Sequence, residues 1–237
     1  MMFTAAIVLT ILAATSSVVD SRSHKYPKKS TSRGFHLVVN VTDSSRPLAK
    51  SPHGKLLSSI HIGPTHNLLG IGNGFNPRVF YHNATKNEFR SSNAQIFSGG
   101  GTSSIQYGLS LHLDEGNNNV SSVRLDVGDG QRGLSISQGR HPYAFLNLSR
   151  LAMCNEPIKY YHGKKMVILK QFNNPDMVHG NIPEECAPIH LLPQCVPFDP
   201  SRPAWGIPVH EFVREADCYK NVSAINWSRH TSLSWHE

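Results

Sequence analysis

Asp114, Glu115, Asp126, Asp129, Glu211 and Glu215 are the residues of this chain with the most obvious chemical potential. Two carboxylates facing each other across a cleft suffice for glycoside hydrolysis, one as acid and the other as base or nucleophile. Four of the six sit in or beside turns, and spacing along the chain does not show which of them face each other, so no catalytic pair is assigned. Other chemistries lack their motifs. The chain has no G-K-S/T, no G-x-S-x-G and no H-E-x-x-H. "GIGNGF", Gly70 to Phe75, superficially matches a phosphate-cradling loop, but Asn76-Pro77 follows where a helix would have to open. His61, His66 and His82 are the densest histidine group, yet no strand carries histidines on alternate residues, so they read as scattered rather than metal-binding. Asp126 and Asp129 flank a Gly-rich turn, where Asp-Gly is the ordinary hairpin signal and a calcium loop would want more oxygen ligands. No cofactor or metal is implied.

The four cysteines are Cys154, Cys186, Cys195 and Cys218. A zinc site is disfavoured because no two stand two to four residues apart. Between Cys186 and Cys195 the chain alternates like an edge strand that tolerates proline. An extended run of that length separates its ends by roughly 30 Å, against about 4.4–6.8 Å for a disulfide, so these two do not pair with each other. Two pairings remain, Cys154–Cys186 with Cys195–Cys218, or Cys154–Cys195 with Cys186–Cys218. The first closes the shorter loops and is preferred.

Disulfides imply an oxidising compartment, and the N-terminus agrees. An apolar run from Phe3 to Ala14, then small residues and no charge before Asp20, reads as a secretory signal over residues 1–17. The tripeptides at Asn40, Asn83, Asn119, Asn147, Asn221 and Asn226 are six N-glycosylation acceptors, where composition alone would give roughly two or three. The net charge of +7 suggests nucleic acid until its distribution is seen. Arg22 to Arg33 holds five basic residues and no acid, leaving only +3 over residues 34–237. Residues 18–33 therefore read as a basic disordered tail, with Lys28-Lys29 as a processing signal within it, and nucleic acid is not an expected partner. No segment after the signal is long and apolar enough to span a membrane as a helix.

The elements that must position these residues have a period of two. The runs 35–41, 55–63, 78–84, 104–113, 122–128, 133–139 and 142–148 are short and apolar or alternating, separated by Gly/Asn/Asp turns. In the fourth, Ile105, Tyr107, Leu109, Leu111 and Leu113 face one way and Gln106, Gly108, Ser110 and His112 the other. This pattern predicts an all-β antiparallel sandwich or jelly-roll-like fold with a Pro-rich, disulfide-stapled C-terminal third. Residues 34–228 form a single domain, followed by a C-terminal tail over 229–237. The one helical candidate is 208–222, where Phe212, Ala216 and Tyr219 follow Pro208 at helical spacing, although the segment reads equally well as a strand.

Taken together, "RGFHLVVNV", "LAMCNEPIKYYHGKKMVILKQF", "IPEECAPIHLLPQC" and "HEFVREADCYKNVSAINWS" resemble a family of small secreted proteins of filamentous fungi, defined by a domain of unknown function. The resemblance covers about residues 33–228 and implies no catalytic residues. The sequence thus points to a secreted, disulfide-stapled, glycosylated monomer, non-catalytic, acting at a wall or host surface, with glycans as the partner class. The rivals are a secreted carbohydrate-active hydrolase and a carbohydrate-binding module in which Trp205, Trp227 and Trp235 form a stacking platform.

Overall fold

The computed structural model describes residues 25–46, 48–72, 74–99, 106–139, 141–174, 182–198 and 212–230. The strands are β1 (Ser30–Ser32), β2 (Gly34–Val41), β3 (Ser58–Gly63), β4 (His66–Ile71), β5 (Phe80–Asn83), β6 (Gln95–Gly99), β7 (Gln106–Asp114), β8 (Asn117–Val127), β9 (Leu151–Ile158), β10 (Lys164–Phe172), β11 (Cys186–Val196), β12 (Val213–Arg214) and β13 (Ala216–Cys218). Among the described residues a single short α-helix, α1 (Lys86–Arg90), lies between β5 and β6. The fold is all-β and antiparallel, as the period of two requires.

One sheet runs β10-β9-β11-β2-β5-β6-β7-β8-β4-β3, and β10 also pairs with β8 and β4. Lys170 stands opposite Ser122 on β8, and Ile168 opposite Gly70 on β4. These pairings bring the first strand of the path back to its far end, so the sandwich-like sheet closes on itself. Its interior holds Phe35, Leu37, Leu57, Leu69, Ile96, Leu109, Leu125, Met153 and Leu169. Leu109 is fully buried, whereas Leu113 is 61% exposed, because β7 runs out past the core before its hairpin.

The closing seam depends on Gly70. A Cβ there would lie 2.5 Å from the Val167 carbonyl oxygen and 3.0 Å from the Ile168 Cα, which are backbone atoms and cannot swing aside. Gly70→Ala therefore costs about 1–3 kcal/mol of overpacking strain, and a urea midpoint equal to that of the wild type would contradict this.

β11 differs from the sequence reading: it is an interior strand, not an edge. Its first half pairs with β9, from Cys186 opposite Cys154 to Ile189 opposite Leu151. Its second half pairs with β2, from Ile189 opposite Val41 to Val196 opposite Gly34. Proline is tolerated because what each contributes is a carbonyl. The Pro188 oxygen accepts from Thr42 N at 3.0 Å, and the Pro193 oxygen from Tyr219 N at 2.9 Å. Cys154–Cys186 joins facing residues of β9 and β11, with sequence separation 32, and Cys195–Cys218 joins β11 to β13, with sequence separation 23.

Three other expectations change. The candidate helix at 208–222 is not helical over its described part: β12, β13 and a 3-10 turn at Val222–Ala224 occupy it. Ala216 and Cys218 are buried with Asp217 between them, so a period of two wins. The runs 133–139 and 142–148 are not ladder strands. They meet at one bridge, Ile136 opposite Leu146, with left-handed Gly133 and Gly139 bending the chain on either side of the first run. The basic segment expected as a disordered tail is laid onto the domain in its described part. β1 pairs with β13, and Lys29 Nζ donates to Asp217 at 2.6 Å and to the His141 carbonyl at 2.7 Å. Tyr26 packs edge-on to Tyr143, with ring centroids 5.3 Å apart.

Candidate functional site

β8 carries Ser122, Arg124 and Asp126 on alternate positions facing away from Val123 and Leu125, which are fully buried. β7 lies beside it in register, Ser110 opposite Arg124 and His112 opposite Ser122. The outer face of these strands consequently collects polar groups. Asp126 Oδ1 accepts from Asn67 N at 3.0 Å, while Oδ2 lies 3.1 Å from Arg124 Nε, 3.2 Å from His66 Nδ1 and 3.6 Å from His112 Nε2. Ser110 Oγ is 3.1 Å from His112 Nε2. Desolvation, then the Arg124 charge, push the His112 imidazole below its ordinary pKa, and Asp126 opposes them.

Next to this group, Lys170 is buried at 4% exposure. Its ammonium donates to Asp114 Oδ2 at 2.5 Å and Ser122 Oγ at 3.0 Å, with Glu156 Oε2 at 2.9 Å. Ser122 Oγ in turn donates to Asp114 Oδ1 at 2.6 Å. A serine beside a lysine invites a nucleophile reading, but an ammonium whose three N–H groups meet three oxygens has no lone pair to take the serine proton. What the arrangement does is tie β7, β8, β9 and β10 together across the closing seam.

Of the six carboxylates read from the sequence, Asp114 and Asp126 enter this strip, each in contact with cations. Glu115 is exposed in the β7–β8 turn, Asp129 is exposed in the turn after β8, and Glu215 is exposed between β12 and β13. Glu211 lies outside the described residues. Glu156 and Lys170 were not picked out from the sequence. The signal was a lysine directly after the apolar "MVIL" of β10, since a charge in a buried run demands partners.

The histidines do not converge. His61 packs edge-on to Tyr160 and His66 meets Asp126, while His82 sits in the core. Among the described residues no group of three or more His, Cys, Asp or Glu could hold a metal ion. His82 Nε2 accepts from Ile136 N at 3.0 Å, with the rings of Phe35 and Phe89 packed edge-on to it. Full burial pushes its pKa down to about 3, and burial does the same to His190. Both are neutral when folded, whereas the unfolded chain takes up their protons below about pH 6.5. The unfolded state therefore binds more protons between these values, and stability falls with acidification at up to about 1.4 kcal/mol per pH unit per histidine. Urea unfolding at pH 7 and pH 5 checks this, and equal midpoints would contradict it.

Asn119, Asn147, Asn221 and Asn226 are exposed, whereas Asn40 and Asn83 are half-buried in β2 and β5. The Thr85 of the Asn83 acceptor is the N-cap of α1, in a reciprocal capping box with Glu88. Trp227 packs edge-on to Tyr219 and is half-buried, so it offers no open platform; Trp205 and Trp235 lie outside the described residues. A depression of about 400 Å³ is lined by Val41, Ser44, Arg46, Leu48, Pro52 and His53, with no carboxylate among its lining residues.

The fold and strip define an all-β, sandwich-like domain stapled by two disulfides and held at its seam by the ion pairs of the buried Lys170. The chain belongs to the family described as a domain of unknown function, DUF7907, whose model matches residues 32–195. That match ends at Cys195, before β12 and β13. Among curated proteins the chain is 38% identical over 209 residues to "Antigenic protein SchS34" of Stachybotrys chartarum, covering 86% of this chain and 94% of the relative. No solved structure matches.

Proposed function

We propose that the protein is a secreted, N-glycosylated, non-catalytic monomer that works outside the cell, at a wall or host surface, and engages glycans there. The observation that carries the non-catalytic reading is the state of the carboxylates. Asp114 and Glu156 share the Lys170 ammonium, and Asp126 is paired with Arg124. A hydrolase needs one carboxyl free to give a proton and another free to attack or to activate water. The apolar run 3–14, the two disulfides and the fungal relative named as an antigen support an extracellular place of work. In this reading residues 1–17 are removed as the signal, and Asn119, Asn147, Asn221 and Asn226 are the acceptors best presented for glycans. Among the described residues no helix is long and apolar enough to cross a membrane.

One observation favours the rival hydrolase: Asp114 and Glu156 stand close enough to bind a single ammonium. Expression in a fungal host decides the first part of the proposal. The account predicts disulfide-intact protein in the medium, lacking the leader and losing mass on enzymatic deglycosylation. Retention of the protein inside the cell with all four thiols reduced would overturn it.

A further inference from the structure

The hairpin joining β9 to β10 reads PIKYYHGKK from Pro157 to Lys165, with three lysines, one histidine, two tyrosines and no acid. Its shape is fixed by the backbone. A 3-10 turn over Lys159–Tyr161 ends on left-handed His162 and Gly163, and Gly163 N donates to the Ile158 oxygen at 3.0 Å. Below it, Ile158 is buried with Ile60, Leu68 and Ile168, so the tip stands on packed strands rather than on a loose loop. Lys159, His162, Lys164 and Lys165 are exposed, and none of the three lysines makes an ion pair among the described residues.

Tyr160 is 50% exposed, one of two large hydrophobic side chains left in that state among the described residues. Its ring is braced rather than covered. His61 of β3 meets it edge-on at 5.2 Å, and Tyr161 at 5.2 Å with an interplanar angle of 75°. A braced, half-exposed aromatic ring stacks on the apolar face of a sugar at low entropic cost, and the exposed lysines of the same hairpin supply point charges for anionic groups. The remainder of residues 34–237 contributes little long-range field, since that range sums to +3 and the hairpin's three lysines account for all of it. Such a site suits a polymer of modest charge density with flat sugar faces better than a densely charged one such as duplex DNA.

We propose that this hairpin is a binding site for a uronate-bearing polysaccharide, with Tyr160 as the stacking residue and Lys159, Lys164 and Lys165 as the carboxylate-binding groups. This rests on the glycan reading above and narrows it to a ligand class and a place.

Affinity electrophoresis and calorimetry test it, using the intact glycosylated, disulfide-bonded protein against polygalacturonate, dextran sulfate, a neutral β-glucan and duplex DNA. Polygalacturonate is expected to bind most tightly. Tyr160→Ala weakens it about tenfold and Tyr160→Phe by less than about twofold, in line with stacking energies. The double variant Lys164→Gln, Lys165→Gln weakens it by about tenfold at low salt and flattens its salt dependence. All these side chains are exposed, so unchanged melting temperatures accompany the losses. Polygalacturonate binding that survives both the tyrosine and the lysine variants would place the site elsewhere and overturn this assignment, while leaving the glycan reading intact. So would binding of the neutral glucan alone. Tighter binding of dextran sulfate or DNA than of polygalacturonate also overturns it. Binding to no glycan overturns it together with the reading it rests on.

Discussion

Breaking both disulfides lowers the unfolding free energy by about 3–4 kcal/mol per bridge, the chain-entropy value for loops of these lengths. The separations are 32 residues for Cys154–Cys186 and 23 for Cys195–Cys218. The two bridges act on the same strand. Cys154–Cys186 fixes the register of β11 on β9, and Cys195–Cys218 fastens β13 to the far end of β11. β13 in turn holds β1, so the second bridge also secures the N-terminal segment that carries Lys29. Urea unfolding with and without reductant reads the total, and the paired Cys154→Ala, Cys186→Ala and Cys195→Ala, Cys218→Ala variants read each bridge. Loss of the second bridge is expected to expose the Lys28-Lys29 region to trypsin before the closed sheet unfolds. Coincident unfolding curves in oxidised and reduced protein would contradict a stapling role.

Lys170→Met destabilises the protein by about 3 kcal/mol at neutral pH, the low end for removing one partner of a buried ion pair. The low end applies because the partners are not deeply buried: the Asp114 and Glu156 side chains are 25% and 37% exposed. The loss comes from two carboxylates left facing each other at the seam between β8, β9 and β10. Adding Asp114→Asn and Glu156→Gln to Lys170→Met removes the unpaired charges and recovers part of the loss at pH 7, which the corresponding mutant cycle measures. If Lys170→Met is as stable as wild type at pH 7, the ammonium is not what holds the seam.

Much of this fold was legible in the sequence because its strands alternate. The runs that became β2, β3 and β8 bury alternate residues, Phe35, Leu37 and Val39, Ser58 and Ile60, and Val123 and Leu125, and the Gly/Asn/Asp turns between the runs mark chain reversals. β9 and β10 were harder, since each packs residues on both faces. Leu169 and Val167 face the interior while Ile168 and Phe172 fill clusters outside it, so the alternation disappears. The interior position of β11 was hidden by its prolines, whose edge preference concerns their missing N–H. Here their carbonyls do the bonding. The Lys170 strip was the least visible feature, because Asp114 and Ser122 come from one hairpin, β7–β8, and Glu156 and Lys170 from another, β9–β10, and the β8–β10 pairing that brings the two together is non-local. α1 was missed, being five residues long and without a buried face, although Thr85 and Glu88 have the spacing of a capping box.

The disulfides and the ion-paired seam hold the closed sheet together, and the function proposed for it is to hold sugars outside the cell without cutting them. The most direct test is a glycan array probed with the mature protein, followed by mass spectrometry of the bound oligosaccharides after prolonged incubation. The account predicts binding to glycans that are recovered at their original chain length, with the same result for Glu156→Gln. Shortened products that disappear in Glu156→Gln would contradict it and make the strip an active site, and an array without any bound glycan would contradict it as well.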